Sequence, residues 1–296
     1  IWVLWWVGFF YFTALCVNIW NALNPWAFSF QLAEIVTRKR IQLTSYPTWL
    51  GYWPSFLFFL SFVWIELVWP YKETPATLAT VIILYSLTTW TGMIIYGKRS
   101  WLKYGECFSV IFTLIGNFSP IQFYKTKRTL SIQLPAFGIL GMREPSMGLV
   151  LITILLLAGL SFDGFMATEA WLQLKVYLLN VNALGSILRK LHQTFGSLQP
   201  VLTTLGLALT LLLFLFSYIL VCLLTKILIN WTTAPPESEV SLQQLLKHFV
   251  MTLLPIAIAY HLAHYLSYLL IAGQLIIPLI SDPYGLGWNI FNTNNY

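Results

Sequence analysis

Residues 201–229 read VLTTLGLALTLLLFLFSYILVCLLTKILI, an almost unbroken run of Leu, Phe and Val. A run of about 20 apolar residues is long enough to cross the hydrocarbon core of a bilayer as an α-helix. Backbone polar groups cannot stay unpaired in lipid, and a helix pairs them within its own segment. This stretch therefore predicts a transmembrane helix and an integral membrane protein.

The composition of the whole chain supports the same class. The 296 residues are 58% hydrophobic and 9% charged, with a mean hydropathy of +0.74. A typical soluble domain is about 25% charged. So few charges cannot cover a water-exposed surface, which excludes a soluble domain. Long apolar runs, instead of alternating ten-residue segments, favour helices over a transmembrane β-barrel.

Prolines, glycines and charged residues divide the chain into apolar segments. They predict an all-α fold, a polytopic transmembrane helix bundle with about seven spans in one transmembrane domain, residues 1–296. The fourth segment is marginal because about 15 residues are short for a span, and a re-entrant segment is the alternative. The seven segments are 1–23, 49–69, 76–96, 104–118, 147–162, 201–229 and 245–275.

Two further stretches, 26–41 and 171–191, have helical periodicity with one apolar and one polar face. Such amphipathic helices lie in the membrane interface. In the first stretch, Phe30, Ala33, Val36 and Ile41 are expected on the apolar face. The bundle is therefore predicted to carry interfacial helices beside its spans.

The basic residues give a net charge of +6, but they lie in short clusters between apolar segments. Clusters of this kind are typical of cytoplasmic loops and of contacts with anionic lipid headgroups. No nucleic-acid-binding motif accompanies them, so the expected partner is the lipid bilayer and not a nucleic acid. The clusters are Arg38-Lys39-Arg40, Lys98-Arg99 with Lys103, and Lys125 with Lys127 and Arg128.

Ionisable residues within apolar segments are the candidate functional residues, because a charge in a bilayer costs about 2.5–3.5 kcal/mol on insertion scales. Such residues face the bundle interior or a water-filled cavity and mark sites. The candidates are Glu66, Glu106, Asp163, His261 and His264, with Asp282 just beyond the last segment.

His261 and His264 are three residues apart, which places both imidazoles on one face of a helix. Two histidines in this arrangement can bind one divalent metal ion if a third ligand comes from another helix. Asp163 is the preferred third ligand because Gly164 permits close backbone approach, and Glu106 and Glu66 are alternatives. All three carboxylates are also the candidate catalytic residues. The competing interpretation is that the histidines only form hydrogen bonds that stabilise helix packing.

Several motifs resemble a known family. The sequence is similar to the bacterial multi-pass membrane proteins known as fenitrothion hydrolases, over nearly the whole chain. The most specific parts are AYHLAHY at residues 259–265 and the tail from Ser281 to Trp288. The other matching motifs are Tyr46-Pro47, Trp53-Pro54, Trp64 with Glu66 and Pro70, Gly105-Glu106 with Phe108-Ser109, and Phe162-Asp163-Gly164-Phe165.

The resemblance implies a location in the bacterial cytoplasmic membrane, hydrolysis of phosphotriesters by some members, and action as paired membrane subunits. It also implies a further C-terminal span. With the apolar start at Ile1, this leads us to expect an incomplete chain that lacks part of its first helix. The resemblance transfers no catalytic residue to this sequence.

Two functions from different classes remain open. The first is a metal-dependent hydrolase of apolar, phosphotriester-like substrates, in which the metal ion would activate a water molecule. The second is an accessory or structural subunit of a larger membrane complex that handles electrons or metals. A transporter is a weaker third reading because no inverted repeat is visible. Finally, Pro283, Gly285 and Gly287 predict that the tail from Ser281 to Trp288 folds back as a non-helical cap near the membrane surface.

Overall fold

A computed structural model describes residues 2–124, 129–142, 145–181, 197–232 and 240–293. A π-helical turn, Trp2–Gly8, leads into the α-helices, and a 3-10 turn, Gly273–Leu275, separates the last two. The first helices are α1 Phe9–Leu15, α2 Trp20–Leu23, α3 Pro25–Thr37, α4 Trp53–Leu67, α5 Pro75–Tyr96, α6 Lys98–Tyr104 and α7 Cys107–Gly116. After strands β1 Ile121–Tyr124 and β2 Thr129–Ile132 follow α8 Phe137–Leu140, α9 Met147–Met166, α10 Glu169–Asn180, α11 Gln199–Thr232, α12 Leu242–Ala272 and α13 Ile276–Ser281.

The predicted all-α class is confirmed, and the described strands form a single antiparallel hairpin that pairs Ile121 with Ile132. Four helical runs within the described residues are long and apolar enough to cross a membrane. The other three predicted spans correspond to shorter apolar helices, Trp2–Leu15, Trp53–Leu67 and Cys107–Gly116. Four helices are thus long and apolar enough to be spans, and the prediction of seven spans stays a prediction. Those four runs are Pro75–Tyr96, Met147–Met166, Gln199–Trp231 and Leu242–Ser281.

Local sequence explains where several helices begin and end. Asn24 accepts a hydrogen bond from the backbone N–H of Ala27 and so caps α3, with Pro25 at the first helical position. The helix α5 also begins on a proline, Pro75, and ends at Gly97, whose φ of +79° favours glycine. A proline with a restricted φ thus begins this helix, and a glycine that can adopt a positive φ ends it.

One compact unit comprises residues 20–111 and 142–257. Its centre is α9, which packs against α4 and α11 and has most of its side chains buried. Val150 and Ile154 of α9 form a core cluster with Tyr218 of α11 and Val250 of α12. The hydroxyl of Tyr218 donates a 2.6 Å hydrogen bond to the carbonyl of Leu246, which joins α11 to α12.

The other unit comprises residues 1–19, 112–141 and 258–296. In it, the hydroxyl of Tyr11 donates a hydrogen bond to the carbonyl of Leu262. The β-hairpin is held to the chain after α1, because Ile121 forms a bridge with Val17 and its N–H bonds to the carbonyl of Cys16 at 3.2 Å. The unit therefore joins sequence regions that are far apart.

Several predicted segments have different bounds in the structure. The first segment was expected to run unbroken from residue 1 to 23, but α1 ends at Leu15 and the chain becomes helical again only at Trp20. The break is stabilised by the amide of Asn18, which donates to the carbonyl of Phe112 at 2.8 Å. The fifth segment was expected to end at Asp163, but α9 continues to Met166.

The two predicted interfacial helices are only partly as expected. The first forms α3, but Ala33 and Val36 are exposed and only Phe30 of the predicted apolar face is buried. The second forms α10, which ends at Asn180. The rest of that stretch, residues 182–196, lies outside the described residues.

Candidate functional site

Glu106 is the carboxylate that the structure surrounds most completely. It follows α6 and precedes α7, and its side chain is fully buried. Its Oε1 accepts hydrogen bonds from the hydroxyl of Tyr85 at 2.5 Å and from the backbone N–H of Phe108 at 2.9 Å. Its Oε2 accepts from the backbone N–H of Ser109 at 2.7 Å and from the amide of Asn24 at 3.3 Å. Each oxygen therefore has two donors.

Three chain segments bring these donors together. Phe108 and Ser109 are at the start of α7, where free backbone N–H groups point out of the helix and favour an acidic partner. Tyr85 is in the middle of α5, and Asn24 is at the start of α3. The Glu106 cluster, defined as Asn24, Tyr85, Glu106 and Ser109, thus joins three helices through one carboxylate.

Further contacts hold the members of the Glu106 cluster in place. The amide of Asn24 also donates to the hydroxyl of Ser109 at 3.0 Å, and Trp20 Nε1 donates to the same hydroxyl at 3.3 Å. The Tyr85 oxygen lies 3.3 Å from the sulfur of Cys107. Each polar group of the cluster therefore bonds to a neighbour.

Aromatic rings separate the Glu106 cluster from its surroundings. The ring of Tyr85 makes edge contacts with Trp26, Phe58 and Phe108, with centroid distances of 5.0, 5.5 and 5.4 Å. Such contacts add stability beyond simple burial. In this apolar environment hydrogen bonds to a carboxylate are strong, and loss of any one donor is costly.

Chemically, the Glu106 site supplies the hydrogen bonds that a carboxylate gives up when it leaves water. All four neighbours donate, which is the arrangement that suits an ionised carboxylate. To bind a metal ion, Glu106 would have to release one of these donors. The geometry therefore favours a role in joining helices, and the catalytic role expected for Glu106 stays a prediction.

His261 is packed as an aromatic ring. It is 1% exposed and stacks on Phe10 with ring centroids 3.6 Å apart and planes 15° from parallel. Trp6 meets it edge-on at 5.7 Å, and Tyr265 lies at 4.8 Å. Among the described residues, Nε2 of His261 is buried without a hydrogen-bond partner. The expected interior position of His261 is confirmed.

His264 lies one turn further along α12 and is half-buried. Its ring contacts Tyr260 at 6.0 Å and Tyr265 at 4.8 Å. The predicted pairing of the two histidines along one helix is thus present, with Tyr265 touching both rings. The pair differs in exposure, however, because only His261 belongs to the core.

A second feature of α12 is a face of small side chains. Ala259, Ala263 and Ser267 follow one another at four-residue spacing and are all exposed. This spacing places them in a row along one side of the helix. We call this row the small-residue face of α12. It lies next to Tyr260 and His264 in sequence, so a polar edge accompanies it.

Glu66 and Asp163 are half-buried within α4 and α9. The carbonyl of Glu66 accepts a 2.6 Å hydrogen bond from Lys72 in the turn between α4 and α5. The predicted end of the fifth segment at Asp163 is wrong, because Asp163 and Gly164 are both inside α9, whose C-cap is Ala167.

Asp282 has a clear structural role. Its two carboxylate oxygens accept the backbone N–H groups of Leu286 at 2.8 Å and Gly287 at 2.7 Å. Gly285 and Gly287 have φ values of +67° and +79°, which side chains disfavour. The predicted non-helical tail is present from Asp282 onwards, whereas Ser281 still belongs to α13, and Asp282 closes the loop of the tail. A place for this tail near the membrane surface stays a prediction.

Among the described residues, no group of three or more His, Cys, Asp or Glu side chains could hold a metal ion. The predicted ligands His261 and His264 belong to one compact unit and Asp163, Glu66 and Glu106 to the other. The proposed divalent metal centre therefore stays a prediction.

Sequence reasoning missed the partners of Glu106. In the sequence, Asn24 only follows the end of the first predicted segment, and Tyr85 is one of 15 tyrosines. The available signals were the Asn-Pro pair, which is typical of a helix cap, and an acidic residue directly before an apolar helix. Neither signal shows that the three segments meet.

Comparison with known proteins assigns no family to the chain. No protein-family model, curated protein or solved structure matches it. The similarity of its motifs to the fenitrothion hydrolases is therefore an expectation from the sequence.

Proposed function

We propose that this chain is a membrane-embedded subunit of a larger membrane protein complex, and that the small-residue face of α12 packs against a transmembrane helix of a partner subunit. The observation that carries the proposal is the exposed row Ala259, Ala263 and Ser267. In lipid, helices associate by close backbone approach, and small residues four apart permit it.

The surroundings of this row support a protein partner more than lipid. In the most apolar 18-residue stretch of Leu242–Ser281, no residue is buried. In the most apolar 18-residue stretch of α9, 61% of the residues are buried. Exposed leucines that suit lipid chains are present on both helices, for example Leu209 on α11 and Leu270 on α12, so the small and polar residues are what distinguish this row. A serine and a half-buried histidine beside the small-residue face are costly in hydrocarbon unless a protein covers them.

The Glu106 cluster fits the same proposal. Its carboxylate joins α3, α5 and α7 and accepts hydrogen bonds from both oxygens. A subunit whose task is to present a stable surface needs such internal connections, whereas a catalytic carboxylate needs a free position. Polar groups buried in spans can thus serve assembly without chemistry.

The test is the mass of the complex extracted from native membranes in a mild detergent. Ala263→Ile should block close helix approach and reduce the particle to the 34.0 kDa chain with its detergent. Ala208→Ile is the matched control, because Ala208 is also exposed but lies among the leucines of α11. An Ala263→Ile variant that keeps the wild-type mass would contradict the proposal.

A second candidate is the metal-dependent hydrolase of apolar phosphotriester-like substrates. The observation in its favour is Nε2 of His261, which is buried without a partner among the described residues, one turn from His264. An unpaired buried polar atom requires an explanation, and an ion is one. A bound divalent ion would supply an activated water molecule at neutral pH.

Metal analysis separates this candidate from the first. The hydrolase reading expects about one divalent ion per purified chain, lost in both His261→Ala and His264→Ala, together with loss of phosphotriester hydrolysis. His248→Ala is the control, because His248 is exposed near the start of α12. Equal metal content in all variants, or none in the wild type, would remove the candidate.

A further inference from the structure

Two basic clusters that are about 60 positions apart in sequence line one cavity. The cavity measures about 480 Å³ and lies between the end of α3 and the start of α6. Its size is within the range of small-molecule sites, about 300–1,000 Å³. The lining residues are Gln31, Glu34, Ile35, Arg38, Lys39, Arg40, Lys98 and Arg99.

The charge of this basic cavity is strongly one-sided. Five of its lining residues are cationic, and Glu34 is its single acidic residue. Glu34 forms an ion pair with Lys98 at 3.2 Å. Four exposed cations are left to attract an anion: Arg38, Lys39, Arg40 and Arg99.

The backbone holds the two basic clusters against each other. Arg38 ends α3 with a φ of +52°, which turns the chain away from the helix axis. The following loop is fixed to the end of α5, because the N–H of Thr44 bonds to the carbonyl of Ile95 at 2.8 Å. Gly97 packs closely against Gln42, because a Cβ added to Gly97 would lie 2.8 Å from Oε1 of Gln42. The clusters are therefore positioned by the fold.

Apolar surface adjoins the charges. Ile35 lines the cavity and is 63% exposed, and its neighbours Leu32 and Val36 on α3 are exposed as well. A soluble anion would need only the cations, but a lipid presents a charged headgroup beside hydrocarbon chains. Basic pockets between membrane helices on the cytoplasmic side bind anionic headgroups in this way.

We propose that the basic cavity binds the phosphate headgroup of an anionic membrane lipid. The arginines would hold the phosphate through charge-assisted hydrogen bonds, which their planar guanidinium groups form in pairs. Ile35 and Val36 would contact the first part of the acyl chains. Both clusters then face the same membrane leaflet, as the positive-inside rule requires of two cytoplasmic loops.

The first experiment measures lipid retained by the purified chain from membranes that contain phosphatidylglycerol. The variant Arg38→Gln/Arg40→Gln/Arg99→Gln should retain at least ten-fold less phosphatidylglycerol than the wild type. Lys103→Gln/Lys175→Gln/Lys247→Gln is the control, because it removes the same number of charges outside the cavity lining. Equal retention by both variants would overturn the proposal.

A second experiment uses the unmodified sequence and so does not depend on the folding of a variant. A phosphatidylglycerol with a photoreactive headgroup should label peptides containing residues 31–40 and 98–99. Inorganic phosphate at the same concentration should leave this labelling unchanged. Labelling mainly at other peptides would overturn the proposal. Displacement of the lipid by inorganic phosphate would also overturn it, because it would indicate a site for soluble anions.

Discussion

Replacement of Glu106 by glutamine tests whether the buried carboxylate joins its three helices. Glutamine has the same shape but turns one acceptor oxygen into an NH2 donor. If the NH2 group takes the place of Oε1, it faces the hydroxyl of Tyr85 and the backbone N–H of Phe108. The hydroxyl can turn and accept a hydrogen bond from the NH2 group, whereas the N–H of Phe108 can only donate. If it takes the place of Oε2, it faces two groups that only donate.

The first orientation is therefore preferred, and it leaves one buried backbone donor without an acceptor. Such a donor costs about 1–3 kcal/mol. The remaining bonds change from charged to neutral, which we take to cost about 1 kcal/mol in total. The expected loss of local stability is about 2–4 kcal/mol, or roughly 30-fold to 700-fold in the equilibrium for opening the cluster.

Cys107 provides the assay, because its side chain is fully buried next to Tyr85. In a Cys16→Ala/Cys222→Ala background, reaction of Cys107 with a thiol reagent in detergent measures how often the cluster opens. Glu106→Gln should accelerate labelling by the factor given above. Glu34→Gln, the same change at a less buried ion pair, should alter it less than about five-fold. Equal rates for the two variants would refute the structural role of Glu106.

Three further predictions concern other positions. Gly92→Ala should lower the thermal unfolding midpoint, because the added Cβ would lie 2.2 Å from the Trp101 ring and overpacking costs about 1–3 kcal/mol. Gly273→Ala is the control and should leave the midpoint unchanged, because the nearest side-chain atom to its Cβ would be 3.7 Å away. Burial, followed by neighbouring tyrosines, raises the pKa of Tyr46. The neutral phenol therefore contributes its full stabilisation below the ordinary tyrosine pKa of about 10, and this stabilisation is lost as the pH rises further. Above pH 10, the thermal unfolding midpoint should thus fall more steeply in the wild type than in Tyr46→Phe. Asp282→Ala should accelerate hydrogen exchange of the two tail amides that it accepts, and unchanged exchange would contradict its role.

The parts of the fold that depend on local apolar length could be predicted from the sequence. The helices α5, α9, α11 and α12 appear where long apolar runs required them, because an unbroken run must pair its backbone within the segment. The end of α9 was misjudged at Asp163. A glycine can continue a helix at a cost of about 1 kcal/mol, and the burial of α9 offsets that cost.

The parts that depend on contacts between distant segments could not be predicted. The break after α1 is stabilised by residues beyond position 111, since Asn18 bonds to Phe112 and Val17 pairs with Ile121. The donors to Glu106 likewise come from three separate segments. A periodic pattern shows which side of a helix is apolar, but it does not show which other helix that side meets.

The most direct test of the proposed subunit role is site-specific photo-crosslinking in native membranes. A photoreactive amino acid at Ser267 lies on the small-residue face of α12, whereas one at Leu212 lies on the exposed side of α11. The proposal predicts a crosslink from position 267 to one protein that has transmembrane helices of its own, and only lipid adducts from position 212. Lipid adducts alone from both positions would contradict it.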